Sequence, residues 1–142
     1  MSSEMKICEL DQSVKDIAKK FRFRKEKNNA AVVLKIDAAK LLIVIDEEYE
    51  DMTPDELQEE LPGHQPRFVL YSYVLKHDDG RVSYPLCLIR IIPQGCKPEM
   101  AIMYSGSANL LVKETQVTKV MELRDKEDFT EEWLKEKLAF FR

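Results

Sequence analysis

The sequence predicts a mixed β-sheet sandwiched between helices, an α/β arrangement of the α+β type. Three observations predict it. Helical and strand patterns alternate along the chain in the order α-β-β-α-β-β-α-β-α. Two adjacent hairpin-like junctions interrupt the crossovers, which makes the sheet mixed rather than purely parallel. One strand, RFVLYSYVLK, is apolar on both faces, as a central strand covered by helices on each side should be.

The elements follow in order. In the first helix Val14, Ile17, Ala18 and Phe21 recur at i, i+3, i+4 and i+7, an apolar stripe with Asp11 placed to cap its start. Asn28 and Asn29 break it. AAVVLKID and LLIVIDEEY are β-branched runs joined by the short turn Ala38, Ala39, Lys40. Thr53, Pro54 and Glu56 form a capping box with proline at the first helical position, and Leu57 and Leu61 supply the apolar edge. Pro62 and Gly63 end that helix.

RFVLYSYVLK turns at Asp79-Gly80 into VSYPLCLIRII, the strongest local hairpin signal in the chain. Pro85 lacks a ladder donor, so it belongs at an open edge or a bulge. A helix from about Pro98 to Val112 follows, with proline again at its first position. TQVTKVMEL reads as the next strand. The last helix opens at Asp128 or Thr130 and buries Trp133, Leu134, Leu138 and Phe141.

The 142 residues suit one compact domain, with about residues 1–8 as a flexible N-terminal tail. No apolar run approaches the roughly 20 residues of a membrane span, and MSSEMKICEL carries no signal-peptide core. The cysteines Cys8, Cys87 and Cys96 are odd in number and widely spaced, which points to reduced thiols in the cytosol or nucleus. A net charge of −4 gives no overall drive toward nucleic acid. The charge is uneven: residues 19–27 hold six bases and one acid, residues 46–60 nine acids and no base. Such runs orient a protein on a partner, or simply form solvated faces.

Catalytic chemistry finds little support. His64 and His77 stand far from any cysteine at metal-ligand spacing, and no phosphate-binding or nucleophile-elbow motif is present. His77-Asp78-Asp79 reads as a polar hairpin tip. Cys87 reads as core. Cys96 precedes a helix N-terminus, where a thiolate is favoured, but has no His or Asn partner in sequence. No cofactor is expected.

The Pro98 helix carries two stripes. Met100, Met103, Tyr104, Ser107 and Leu111 form the core stripe; Glu99, Ile102, Gly106 and Asn109 form the other. A face of the second kind can lie in an apolar groove of a partner.

PLCLIRIIPQGCKPEMAIMYSGSANLL resembles the actin-depolymerising-factor homology domain, the cofilin family, and more closely its glia maturation factor branch. FRFRKEKNNAA, LPGHQPRFVLYSY, HDDGRVSYPL, GCKPE and FTEEWLKEKLAFF look like that branch's segments, so the resemblance covers nearly the whole chain. It implies the same sandwiched mixed sheet. It also implies a monomeric, non-enzymatic regulator that binds the Arp two/three complex, removes filament branches, inhibits branched nucleation, and binds actin weakly or not at all. Nucleic acid and membrane are not implied partners. The implied location is the cytoplasm, at the actin-rich cortex and lamellipodia, with the nucleus as the alternative.

Residue by residue, cofilins carry lysines just before and after the M-x-Y core of the long helix. The corresponding positions here are Glu99, Ala101, Ala108 and Leu111, so those bases are missing. Lys97, Met100, Ile102, Met103 and Asn109 remain as docking candidates, with Ile102 as the apolar anchor and Lys6 flanking it. The family's projecting loop corresponds to His77, Asp78, Asp79, Gly80 and Arg81. Arg22, Arg24, Lys25, Glu131 and Glu132 join it as a candidate second surface. Family analogy makes Ser2 and Ser3 phosphorylation candidates. A conventional actin-binding and severing module is the alternative, and an enzyme the third class.

Overall fold

The computed structural model describes residues 8–141, with side chains through Phe140. The expectations on the tail, including Ser2, Ser3 and Lys6, lie outside the described residues. The elements are β1 (Glu9–Leu10), α1 (Gln12–Arg22), β2 (Ala30–Asp37), β3 (Leu42–Glu50), α2 (Pro54–Glu60), β4 (Arg67–Ser72), β5 (Leu75–Lys76), β6 (Val82–Ser83), β7 (Leu86–Ile91), α3 (Pro98–Thr115), β8 (Lys119–Leu123) and α4 (Glu131–Leu138).

Six strands form one sheet in the order β1-β3-β2-β4-β7-β8. The inner pairs are antiparallel, and the outermost pairs, β1 with β3 and β7 with β8, are parallel. The sheet is therefore mixed, as its hairpins and crossovers predict. β4 is central and its side chains alternate between two cores. Phe68 and Leu70 meet Val14, Ile17 and Ala18 of α1 and Tyr104, Ala108 and Leu111 of α3 on one face. Val69 and Tyr71 meet Leu57 of α2, Leu61 just beyond it, and Leu134 and Leu138 of α4 on the other. The apolar reading of both faces of β4 follows from this double cover.

The caps form as the sequence prescribes. Asp11 accepts from the Ser13 N–H at the start of α1, and Ser13 keeps the Asp11 carboxyl below the ordinary carboxylate range. At α2 the Glu56 N–H donates to Thr53 Oγ1 at 3.2 Å, and the Thr53 N–H donates to Glu56 Oε1 at 2.9 Å. With only seven residues, α2 leans on that box. Thr53→Ala is expected to cost about 1 kcal/mol, read as a lower urea midpoint at unchanged slope.

Four features depart from the sequence reading. β1 has no counterpart in it: its two residues reach the sheet edge through backbone bonds, the Glu9 N–H to the Leu41 carbonyl and the Asp11 N–H to the Ile43 carbonyl, both 3.0 Å. α1 stops at Arg22, before the asparagines, because Arg24 clamps the following loop; its guanidinium donates to the Asn28 carbonyl at 2.7 Å and to the Asn28 side-chain oxygen. The long hairpin is broken. β4 and β7 pair in the main sheet, while β5 and β6 form a separate two-stranded ribbon. Pro85 sits at the interruption, its carbonyl taking the Tyr73 N–H at 3.1 Å. Finally, α3 runs on to Thr115, whose hydroxyl donates to the Leu111 carbonyl at 2.6 Å. Gln116 then closes it in the left-handed region at φ 60°, so the strand expected from Thr115 begins at Lys119.

A β-bulge between Val33 and Leu34 leaves Asp46 of β3 as the extra residue. Its carboxylate takes the Arg67 guanidinium at 3.0 Å and Lys35 Nζ at 3.6 Å.

Candidate partner-binding surface

α3 packs beside α1 on the face of the sheet that carries Phe68 and Leu70. Its core stripe is fixed by two long-range hydrogen bonds. The Ile36 N–H donates to the Tyr104 hydroxyl at 2.9 Å, and the Cys8 N–H donates to Ser107 Oγ at 3.2 Å, both buried. Tyr104 also packs on Phe68 with ring centroids 5.1 Å apart, a contact worth about 0.5–1.5 kcal/mol beyond its buried area. With Tyr104, Ser107 and Leu111 turned inward, helical geometry turns Ile102 and Asn109 outward. Ile102 is 59% exposed. Ala101, Ser105, Gly106 and Leu110 border it in a shallow open groove. Small side chains there let a partner's backbone approach closely.

The other docking candidates divide. Lys97 is exposed at the N-cap of α3, and its side chain makes no cap bond. Met100 and Met103 are half-buried and pack against the core, so they support the face more than they present it. Of the four positions compared with cofilin lysines, Ala108 and Leu111 are buried, 3% and 0% exposed, and point into the core. A lysine there would bury an ammonium, so the informative differences narrow to Glu99 and Ala101. Within α3 the one base is Lys113, in the last turn, where it lines the C-terminal end of the same groove.

The second-surface candidates are scattered in sequence but gather at one end of the sheet. That end holds the start of β2, the end of β4 and the start of β7, which align as Ala30, Ser72 and Leu86. Arg22, Arg24 and Lys25 reach it at the end of α1, where Arg24 and Lys25 line a hollow with Glu48 and Glu50. The β5–β6 ribbon projects from it, and Glu131 lines a hollow there together with Lys27 and Lys76. Tyr104 bonds at Ile36, near the far end of β2. Ile102 and the second surface therefore face opposite ends of the molecule.

The ribbon tip is internally braced. The Arg81 guanidinium meets the Asp79 carboxylate at 2.6 Å, the Arg81 N–H donates to the same carboxylate, and these bonds hold the Asp79 carboxyl below its usual range. Gly80 takes φ 92°, the conformation that the turn requires of a glycine. His77 Nε2 lies 2.9 Å from Ser83 Oγ. Asp78 and Glu132 are exposed, whereas Glu131 accepts the Tyr73 hydroxyl at 2.5 Å and is half-buried. Arg24 is committed to its loop, so of Arg22, Arg24 and Lys25 it is Arg22 and Lys25 that are exposed to a partner.

A profile of the cofilin/tropomyosin-type actin-binding protein family matches residues 7–139. The chain is 57% identical over 141 residues to human glia maturation factor beta, covering 99% of each. The chain belongs to the cofilin family, in its glia maturation factor branch. It is also 47% identical to the glia maturation factor of Drosophila melanogaster, over 96% of this chain and 99% of that one. The solution structure of the glia maturation factor from Caenorhabditis elegans superposes with a TM-score of 0.82 at 41% identity, covering 96% of this chain and 99% of that one. The chain is thus a cofilin-homology regulator of the actin cytoskeleton.

Phe23 is one of the exposed apolar side chains on this cofilin-type scaffold that sequence reasoning did not single out. It is 62% exposed, with the Arg22 guanidinium 4.8 Å above its ring. Its position two residues after Phe21 puts it off the buried stripe of α1, which is the signal that could have found it. The thiols also sort by depth. Burial pushes Cys87 up to about 12 and raises Cys8 above its ordinary value, whereas Cys96 is half-exposed. A thiol reagent at pH 8 is expected to label Cys96 first and the other two only on unfolding, read by peptide mass spectrometry.

Proposed function

We propose that this chain binds the Arp two/three complex, promotes dissociation of actin filament branches and inhibits branched nucleation, while binding actin itself weakly or not at all. The observation that carries the reading is the outer face of α3: an exposed isoleucine in a bed of small residues, with no base in its first four turns and Lys113 only at its C-terminal end. Glu99 and Ala101 stand where cofilins carry lysines, so the electrostatic grip expected of a conventional severing module is weakened there. The apolar grip remains. An actin-related subunit that presents an actin-like barbed-end groove fits such a face.

The two-ended layout supports a two-contact mechanism. α3 docks in that groove, and the end formed by Lys25, the ribbon tip and α4 meets a neighbouring subunit. Binding that favours a branch-incompetent conformation shifts the population of the complex, and the daughter filament leaves without covalent chemistry. Rim charges such as Lys25 act mainly on association, and Ile102 acts mainly on dissociation.

Regulation at the tail belongs to the same reading. A phosphate on Ser2 or Ser3 sets negative charge against the partner and weakens docking. Action at the actin-rich cortex of the cytoplasm follows from the partner proposed. Bulk polymerisation of fluorescent actin, seeded by activated Arp complex, tests the nucleation arm. The chain lowers the rate in a dose-dependent way under this reading, while an unchanged rate rejects it. Loss of preformed filaments without the complex identifies a severing module instead.

A further inference from the structure

At the ribbon end of the sheet the loop after α1, the β5 strand and the α4 helix enclose a hollow of about 430 Å³. Each element contributes a lysine to its lining: Lys27, Lys76 and Lys135. None of the three makes an ion pair among the described residues. Two asparagines lie between them. Asn28 Oδ1 accepts from the Arg24 guanidinium, and Asn29 Oδ1 accepts from the Val74 N–H at 2.8 Å. Both partners are donors only, so it is the oxygen of each amide that faces its partner. That orientation leaves both NH₂ groups as donors, and neither meets an acceptor among the described residues.

Two carboxylates share the lining, Asp51 and Glu131. Glu131 is already engaged by the Tyr73 hydroxyl. Three positive charges against two negative leave the lining net positive, and the two amide NH₂ groups add further donors. A neutral or cationic ligand would leave those donors unmatched. A compact anion with several acceptor oxygens matches them, and a phosphoryl group is the common biological group of that kind.

We propose that this hollow is an anion site that takes a phosphoryl group, held by Lys27, Lys76 and Lys135 and oriented by the amides of Asn28 and Asn29. The site is separate from the outer face of α3, and its occupancy is read on the isolated protein, so it stands or falls apart from the partner proposed above. The group arrives as a free phosphate or as the side chain of a phosphorylated protein. Binding a phosphorylated segment here would add a modification-dependent contact at the ribbon end.

Titration of the isotopically labelled chain by NMR tests this directly. Inorganic phosphate is added in one arm, a phosphoserine peptide in a second and its unphosphorylated form in a third. Saturable shifts of the Asn28 and Asn29 side-chain NH₂ signals are expected, with a midpoint of about 1–10 mM for phosphate. Lys27→Gln and Lys135→Gln should each weaken the midpoint at least about threefold, while Lys113→Gln, at the end of α3, leaves it unchanged. Tighter binding of the phosphopeptide than of phosphate assigns the group to a protein, and equal midpoints assign it to free phosphate. Unmoved amide signals overturn the proposal. So do shifts that rise without saturation and spread equally to Lys19 and Lys20, since they would mean diffuse charge screening.

Discussion

Replacing Ile102 by aspartate is expected to abolish binding to the Arp two/three complex and leave the fold intact. The side chain is 59% exposed and contributes nothing to either core. Exposed helix substitutions of this type stay within about 0.5 kcal/mol of the parent in stability. Binding is a different matter. An aliphatic anchor seated in a partner's groove is worth about 2 kcal/mol or more, and a carboxylate there adds the cost of desolvating an unpaired charge. The dissociation constant should rise at least about thirtyfold. Affinity retained in a variant with a parental melting curve would remove Ile102 from the interface.

The opposite substitution on the same helix should have the opposite profile. Leu111→Ala is expected to cost about 2–5 kcal/mol, because Leu111 is fully buried between α3 and the sheet and its truncation leaves a cavity. Against a typical total of about 5–15 kcal/mol that is a large share. At about 3 °C for each kcal/mol, the melting temperature should fall by roughly 6–15 °C. Partner affinity, measured well below that temperature, should stay near the parent's because the outer face is untouched. A loss under about 1 kcal/mol would mean that α3 is not held by its core stripe. Together the two variants separate the supporting face of α3 from its presenting face.

Helical periodicity alone makes this division legible in the sequence. Tyr104, Ser107 and Leu111 fall on one side of a 3.6-residue repeat and Ile102 on the other, and the molecule obeys it. The caps at Asp11, Thr53 and Thr130 are equally legible, since each is a local bond between neighbours in sequence. What local patterns do not encode is everything set by long-range backbone pairing. β1 has two residues and no side-chain signature; it exists because Leu41 and Ile43 offer carbonyls at a sheet edge. The break in the long hairpin depends on where Tyr73 meets Pro85. Ala108 reads as a surface position only in comparison with a lysine, and its burial follows from the way α3 lies on the sheet.

The second surface shows the same limit more clearly. Arg22, Lys25, His77 to Arg81 and Glu131 are spread over more than a hundred residues. They converge because strand order brings the end of α1, the ribbon and α4 to one end of the sheet. No local pattern encodes that order. The role of Arg24 is hidden as well: its sequence context is a basic run, but its guanidinium is spent on Asn28. Charge counts cannot tell a structural base from a free one.

The central claim is that this chain acts on branches through an Arp complex rather than on filaments. Time-lapse imaging of fluorescent branched filaments, with unbranched filaments in the same field, tests it most directly. The account predicts faster loss of branches in the presence of the chain, mother filaments left whole, and no such effect with Ile102→Asp. Severing of the unbranched filaments at the same concentrations would contradict it.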